Sequence, residues 1–210
     1  MKRTTRLITA ALICATLAFA ACKDEKEVGK AIVTGNATAY SDADSYLSSI
    51  TDDFGHRYSI ADRISTSIPN GLFRVVVSAE MNRDSSLNII QIVKPITFMA
   101  TEESKMADSL KVRDPINIVG AYIGGGYLNI TLQIKTQQEK APHMLDYSHI
   151  KKHGKHTINI YHNAYQAKPI YSRNSYLSIP LGSYGLNKND TVSISYMSFD
   201  GDRVLKVVYN

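Results

Sequence analysis

Tyr127-Leu128-Asn129-Ile130-Thr131-Leu132-Gln133-Ile134 decides the fold class of this 210-residue chain. Apolar and polar residues alternate without a break, so Leu128, Ile130, Leu132 and Ile134 share one face at the period of two that marks a half-buried strand. Residues 157–162 alternate in the same way and set Ile158, Ile160 and His162 together. Leu177, Ile179 and Leu181 repeat the pattern, as do Leu205, Val207 and Tyr209. Turn residues separate these runs at Gly124-Gly125-Gly126, Gly182 and Asp200-Gly201. The last pair, between 192–199 and 203–209, is the strongest hairpin signal in the chain. This half reads as antiparallel and all-β.

Upstream the chain is also β-rich, in shorter units. Residues 31–34, 46–47, 58–60, 72–79 and 87–93 are the expected strands, with Asp52-Asp53-Phe54-Gly55 turning between the second and third. Five short strands in about 70 residues fit a small barrel, of which the OB-fold is the commonest. The expected barrel domain covers 31–101. Residues 102–113 carry Glu102, Glu103, Lys105, Asp108, Lys111 and Arg113 with no long apolar face, and read as a linker before a second domain over 114–210. One continuous β domain is the alternative.

The start of the chain specifies location. Lys2, Arg3 and Arg6 precede an uncharged run from Leu7 to Ala21, and small residues lead into Cys22. That is the pattern of a bacterial lipoprotein signal peptide over 1–21, too short for a span of about 20 residues. Cys22 is the expected lipidation site, and acyl chains worth about 0.8 kcal/mol per buried CH₂ would anchor the mature chain to a membrane. Lys23, Asp24 and Glu25 resemble the export signal that places Bacteroidetes lipoproteins on the cell surface, within a charged tether over 22–30. Removing residues 1–21 also removes three of the 24 Lys+Arg and none of the 19 Asp+Glu. The net charge falls from +5 to +2, so the basic balance is no argument for nucleic acid. With Cys14 discarded and Cys22 lipidated, the folded part has no disulfide and no thiolate chemistry.

Several of these stretches together resemble the NigD-like lipoproteins of Bacteroidetes, across nearly the whole mature chain. Tyr46-Leu47 and Asp52-Asp53-Phe54-Gly55 stand where that family's N-terminal OB-like domain has a strand leading into an aspartate-glycine turn. Phe54 intervenes here between the paired aspartates and the glycine. Asp114-Pro115-Ile116-Asn117-Ile118, Tyr127-Leu128-Asn129-Ile130 and His162-Asn163-Ala164 stand where the family's C-terminal β-sandwich opens, continues and closes a central strand. The resemblance implies an all-β chain, an OB-like barrel followed by an antiparallel β-sandwich, in the cell envelope. It implies no reaction, ligand or cofactor, and its link to bacteriocin gene clusters is one of association.

Catalytic and metal-binding patterns are thin. His149, His153 and His156 have a suggestive spacing, but Lys151, Lys152 and Lys155 would repel a cation and the nearest acid is Asp146, so a solvated basic hairpin loop is expected. His162 reads as a hydrogen-bonded core histidine, Asn163 as a residue bonding backbone at the strand end, and Ser172, Ser175 and Ser178 as strand-edge serines. Residues 120–126 lack the context of a phosphate loop and read as a flexible hairpin. Asp108-Ser109-Leu110 and Asp190-Thr191-Val192 match the Asp-Ser/Thr-apolar pattern of Bacteroidetes O-glycosylation, making Ser109 and Thr191 candidate sites. The resulting expectation is a non-enzymatic binding or interaction module with no cofactor, no metal and no catalytic residues. It is membrane-bound through Cys22, at the outer membrane and exposed on the cell surface, or else facing the periplasm. A glycan or a protein is its partner; a structural subunit of an envelope or bacteriocin-associated complex is the alternative.

Overall fold

The computed structural model describes residues 30–138 and 141–209. The first half contains β1 (Ile32–Ser41), β2 (Leu47–Asp52), β3 (Arg57–Ser59), β4 (Leu72–Met81) and β5 (Leu87–Val93), in sheet order β3-β2-β1-β4-β5. Neighbours in that order are antiparallel. A parallel bridge from Ile60 to Leu87, with Ala61 N–H donating to Leu87 C=O at 2.9 Å, joins the two ends. The sheet thus closes on itself in the OB-like arrangement. Leu47, Ile50, Val75, Val77 and Leu87 fill it. β1 runs well past the expected 31–34, because Ala37 and Ala39 lie opposite Val75 and Phe73, 1 % and 0 % exposed, where only small side chains fit.

The second half is a sandwich of two sheets. One holds β7 (Asn117–Gly124), β8 (Tyr127–Thr136) and β11 (Tyr171–Pro180), in order β11-β8-β7. The other holds β6 (Thr101–Glu102), β9 (Met144–Lys152), β10 (Lys155–Asn163), β12 (Thr191–Ser198) and β13 (Gly201–Val208), in order β13-β12-β10-β9-β6. Leu128, Ile130, Leu132 and Ile134 are all buried and belong to one core with Tyr147, Ile158, Ile160 and Ile194 of the facing sheet. The all-β class and the barrel-then-sandwich order agree with the sequence reading. Most pairings are antiparallel as expected, and two are parallel: β10 with β12 and β6 with β9.

Between the halves the chain is held down at every step. Ile96 N–H donates to Tyr176 C=O at 2.9 Å, and Ile96 C=O accepts from Ser178 N–H at 2.9 Å. Phe98 stacks on the buried Tyr147 with ring centroids 4.1 Å apart. The Tyr147 hydroxyl accepts from Phe98 N–H at 2.9 Å and donates to Phe98 C=O at 2.6 Å. Burial keeps that phenol protonated well above the ordinary tyrosine range. Ala100 N–H reaches the Tyr184 hydroxyl at 3.1 Å. Residues 102–113, expected as a linker, lie against the sandwich: Met106 is buried, and the Glu103 carboxylate accepts hydrogen bonds from Ser148, Asn159 and Tyr161. Burial pushes the Glu103 pKa up, but those three donors outweigh it and hold the group below the usual carboxylate range.

A buried charge locks barrel to sandwich. Arg74, on the outer face of β4, and Asp53, in the β2–β3 turn, have side chains 1 % and 2 % exposed. Arg74 Nη2 donates to Asp53 Oδ2 at 3.1 Å and to Asn129 Oδ1 at 3.0 Å. Its Nη1 donates to Thr38 at 3.1 Å and its Nε to Ser178 at 3.0 Å. The Nη1 to Asp53 Oδ1 distance of 2.8 Å lies outside hydrogen-bond angles, so that approach is Coulombic. Asn129 Nδ2 and the Tyr122 hydroxyl each donate to Asp53 Oδ2 at 2.8 Å, and Tyr127 covers the guanidinium 4.3 Å from its ring centroid. Burial and the Asp53 carboxylate push the Tyr122 pKa up to about 12, so it remains a donor. Glycine is required at 125: φ is +59° and a Cβ there would collide with the Asp53 carboxylate. The expected flexible hairpin over 120–126 is therefore a seat for Asp53, and Ser178 is a buried member of this network rather than a strand-edge serine. Asp53→Ala leaves the guanidinium sealed without its counter-charge and is expected to lower the unfolding free energy by about 3–5 kcal/mol in urea denaturation. Gly125→Ala should weaken the same joint, and a loss under about 1 kcal/mol in both variants would contradict this account.

Candidate functional site

The sequence pointed first to histidines, and the β9–β10 hairpin explains their spacing. His153 and Gly154 form its turn with φ of +50° and +73°, and His153 is exposed there. His149 Nε2 and His156 Nδ1 are 3.0 Å apart, and His149 also stacks on Tyr184 with centroids 4.1 Å apart. The expected solvated loop is thus two strands joined by a tight turn, with His156 buried. A second pair lies at the other end of β10. His162 Nδ1 is 3.3 Å from Asp114 C=O and its Nε2 is 2.9 Å from His143 Nδ1. A donating Nδ1 on His162 leaves Nε2 as acceptor, so His143 Nδ1 carries the shared proton. His162 is buried and hydrogen-bonded, as its place beside Ile158 and Ile160 indicates. Asn163 does bond backbone at the strand end, accepting from Tyr165 N–H at 2.8 Å. Among the described residues no group of three or more His, Cys, Asp or Glu is arranged to hold a metal.

Both ring nitrogens of His162 are committed to structural bonds, which leaves it no free lone pair for a substrate proton. In the His143–His162 pair only His143 Nε2 lacks a partner among the described residues; a row of unpartnered polar side chains lies on the face of β11-β8-β7 that points away from the sandwich core. Directly opposed residues share a face, so the registers define three rows. Asn174, Gln133 and Asn117 form one; Tyr176, Thr131 and Gly120 form the next; Ser172 and Lys135 lie at the end. The row beyond Thr131 is Ser178, Asn129 and Tyr122; the barrel covers the first two through Arg74 and holds the Tyr122 hydroxyl through Asp53 and Asn36. None of the three amides Asn174, Gln133 and Asn117 hydrogen-bonds to another described residue, although neighbouring polar groups are extensively paired. Hollows flank the face. One of about 520 Å³ is bordered by Gln91, Lys94, Asn174 and Tyr176. Another of about 310 Å³ is bordered by Asn117, Gln133, Lys135, Phe199 and Asp200. Sequence reading missed this face because its residues are ordinary polar positions of alternating strands. Only register brings the amides into line.

Cys22, Lys23, Asp24 and Glu25 lie outside the described residues. Ser109 and Thr191 are both exposed, Ser109 in a 3₁₀ turn over Asp108–Leu110 and Thr191 at the start of β12, and neither adjoins the amide face. Burial lowers the pKa of His143, His149, His156 and His162, with the paired imidazole adding to the shift at His143 and His149, and Lys151 at His156. A lowered folded-state value favours the neutral ring in the native protein. The associated stability is complete above the ordinary histidine value of about 6.5 and is lost as pH falls from there through the lowered values. Urea midpoints should therefore be lower at pH 5.5 than at pH 7.5, above the range where Glu103 titrates. Equal midpoints would contradict neutral pairs.

Residues 97–209 match the family model of the NigD-like C-terminal beta sandwich domain. No match was found among curated proteins. Among solved structures, a NigD-like immunity protein from Bacteroides caccae is 20 % identical with a TM-score of 0.67, covering 85 % of this chain and 91 % of its own. A candidate toxin-related protein from Parabacteroides distasonis is 21 % identical with a TM-score of 0.67, covering 86 % and 94 %. A candidate lipoprotein from Bacteroides fragilis is 10 % identical with a TM-score of 0.64, covering 86 % and 98 %. At these identities the likeness shows the fold, barrel included, whereas the family match rests on the sequence itself and starts at 97, ahead of the docked segment 102–113. Over more than half of its length this chain is a member of the NigD-like C-terminal β-sandwich family.

Proposed function

We propose that the chain is a lipid-anchored envelope protein that binds a partner and catalyses nothing. The observation that carries this reading is the division of its polar groups. His162 has both ring nitrogens in structural bonds and His149 is paired with His156, whereas the solvent-facing polar row is made of amides, which recognise ligands but neither attack nor transfer protons at neutral pH. Anchoring through Cys22 and surface display through Lys23, Asp24 and Glu25 follow from the start of the sequence.

A second reading, a subunit or immunity-type partner in a toxin-associated complex, is favoured by the names of two structural neighbours. Protease shaving of intact cells separates the two. On the first reading the wild-type chain is digested while an internal lipoprotein control survives, and Cys22→Ser releases it from the membrane fraction. Replacing Asp24 and Glu25 by Asn and Gln should reduce digestion without releasing the protein. Full protection of the wild type would place it on the periplasmic side and favour the second reading.

A further inference from the structure

We propose that the open face of β7, β8 and β11 is a carbohydrate-binding surface for an extended, neutral oligosaccharide. The in-register row Asn174–Gln133–Asn117 gives three amides on three adjacent strands, each offering donors and an acceptor and none bonded to another described residue. Adjacent strands lie about 4.8 Å apart, so the amides repeat at a spacing close to that of successive pyranose rings. A sugar hydroxyl both donates and accepts, and a primary amide meets both needs at once.

The surroundings suit the same ligand. Tyr176, half-buried, borders one hollow and the exposed Phe199 the other, and the C–H face of a pyranose packs on such rings. Gly120, on the edge strand β7 opposite Thr131, has no left-handed φ, and a Cβ there would meet nothing within 4 Å. Neither backbone nor packing requires a glycine at that place. Its effect is to leave the β7 edge beside the amide row without a side chain at that position. Lys94 and Asp200 stand at the margins and Lys135 one row beyond Gln133 on the same strand, while the amide row itself carries no charge.

The inference rests on reading the chain as a binding protein, but not on its anchoring. The test is an array of neutral and uronic-acid oligosaccharides probed with the soluble Cys22→Ser chain, followed by titration calorimetry on the best hexasaccharide. The expected result is binding of a neutral glycan that weakens about tenfold in Gln133→Ala and in Phe199→Ala, the loss of roughly one good hydrogen bond or stacking contact. Gly120→Leu, which adds bulk at the β7 edge beside the amide row, should also weaken binding, with thermal midpoints unchanged in all three. No binding to any neutral member overturns the proposal, as does binding that all three substitutions leave intact. Binding of uronic-acid glycans alone, lost in Lys135→Ala, overturns it too, as does self-association through this face. Should the glycan result fail while shaving still finds the chain on the surface, only the ligand class is lost.

Discussion

The ion pair of Arg74 and Asp53 is the constraint on which the two-domain arrangement depends. A guanidinium and a carboxylate taken out of water lose several kcal/mol of hydration each, and their mutual attraction recovers this only when the remaining donors and acceptors are also satisfied. The barrel supplies Thr38 and the pair itself; the sandwich supplies Asn129, Ser178, Tyr122 and the ring of Tyr127. Neither half satisfies the charges alone. Separating the halves would expose a network that is complete only when they touch, so their relative position is set by directional bonds more than by apolar area. The tight path of residues 94–102, fixed by Ile96, Tyr147 and Tyr184, enforces the same geometry from the covalent side.

This network also gives a physical meaning to positions that look ordinary in sequence. The run Gly124-Gly125-Gly126 suggests flexibility, yet Gly125 is occupied by close approach of the Asp53 carboxylate, and a Cβ at Gly124 would also lie 2.8 Å from Asp53 Cβ. Arg74 is the one basic residue in β4, a pattern that reads as a solvent-facing position on a barrel wall. Its burial follows from a second domain lying over that wall. Its partners are up to 104 residues away, beyond any local periodicity.

Much of the sheet was legible: Leu87–Val93 has the expected bounds, 127–134 and 157–162 lie within observed strands, and the last hairpin turns one residue earlier than expected, at Phe199-Asp200, with Gly201 opening β13. What failed to show were strands whose buried positions are small or polar. Ala37 and Ala39 in β1 carry little hydrophobic signal but sit in the tightest part of the barrel, and β9 reads as loop because Ser148, His149 and Lys151 interrupt its apolar pattern. The parallel pairings of β10 with β12 and β6 with β9 leave no turn signature, since their connections are long. The histidine spacing was visible, but its meaning required register. His149 and His156 meet across the hairpin only because the turn sits at His153-Gly154.

One sheet face shows both solutions to the problem of polar groups on a strand. At its covered end Asn129 and Ser178 are buried, and every donor and acceptor there must find a partner or cost roughly 1–3 kcal/mol. The barrel meets that demand with Arg74 and Asp53. A few residues further along the same strands, Gln133, Asn117 and Asn174 face outward with no protein partner, and water satisfies them at no penalty. The second set therefore contributes little to holding the fold and can be exchanged for other solvated residues, whereas the first cannot. Stability accounts for Asn129 and Ser178. It leaves the alignment of three unpaired amides across adjacent strands without a structural reason, and such an alignment on an open surface is what a hydroxyl-rich ligand would use.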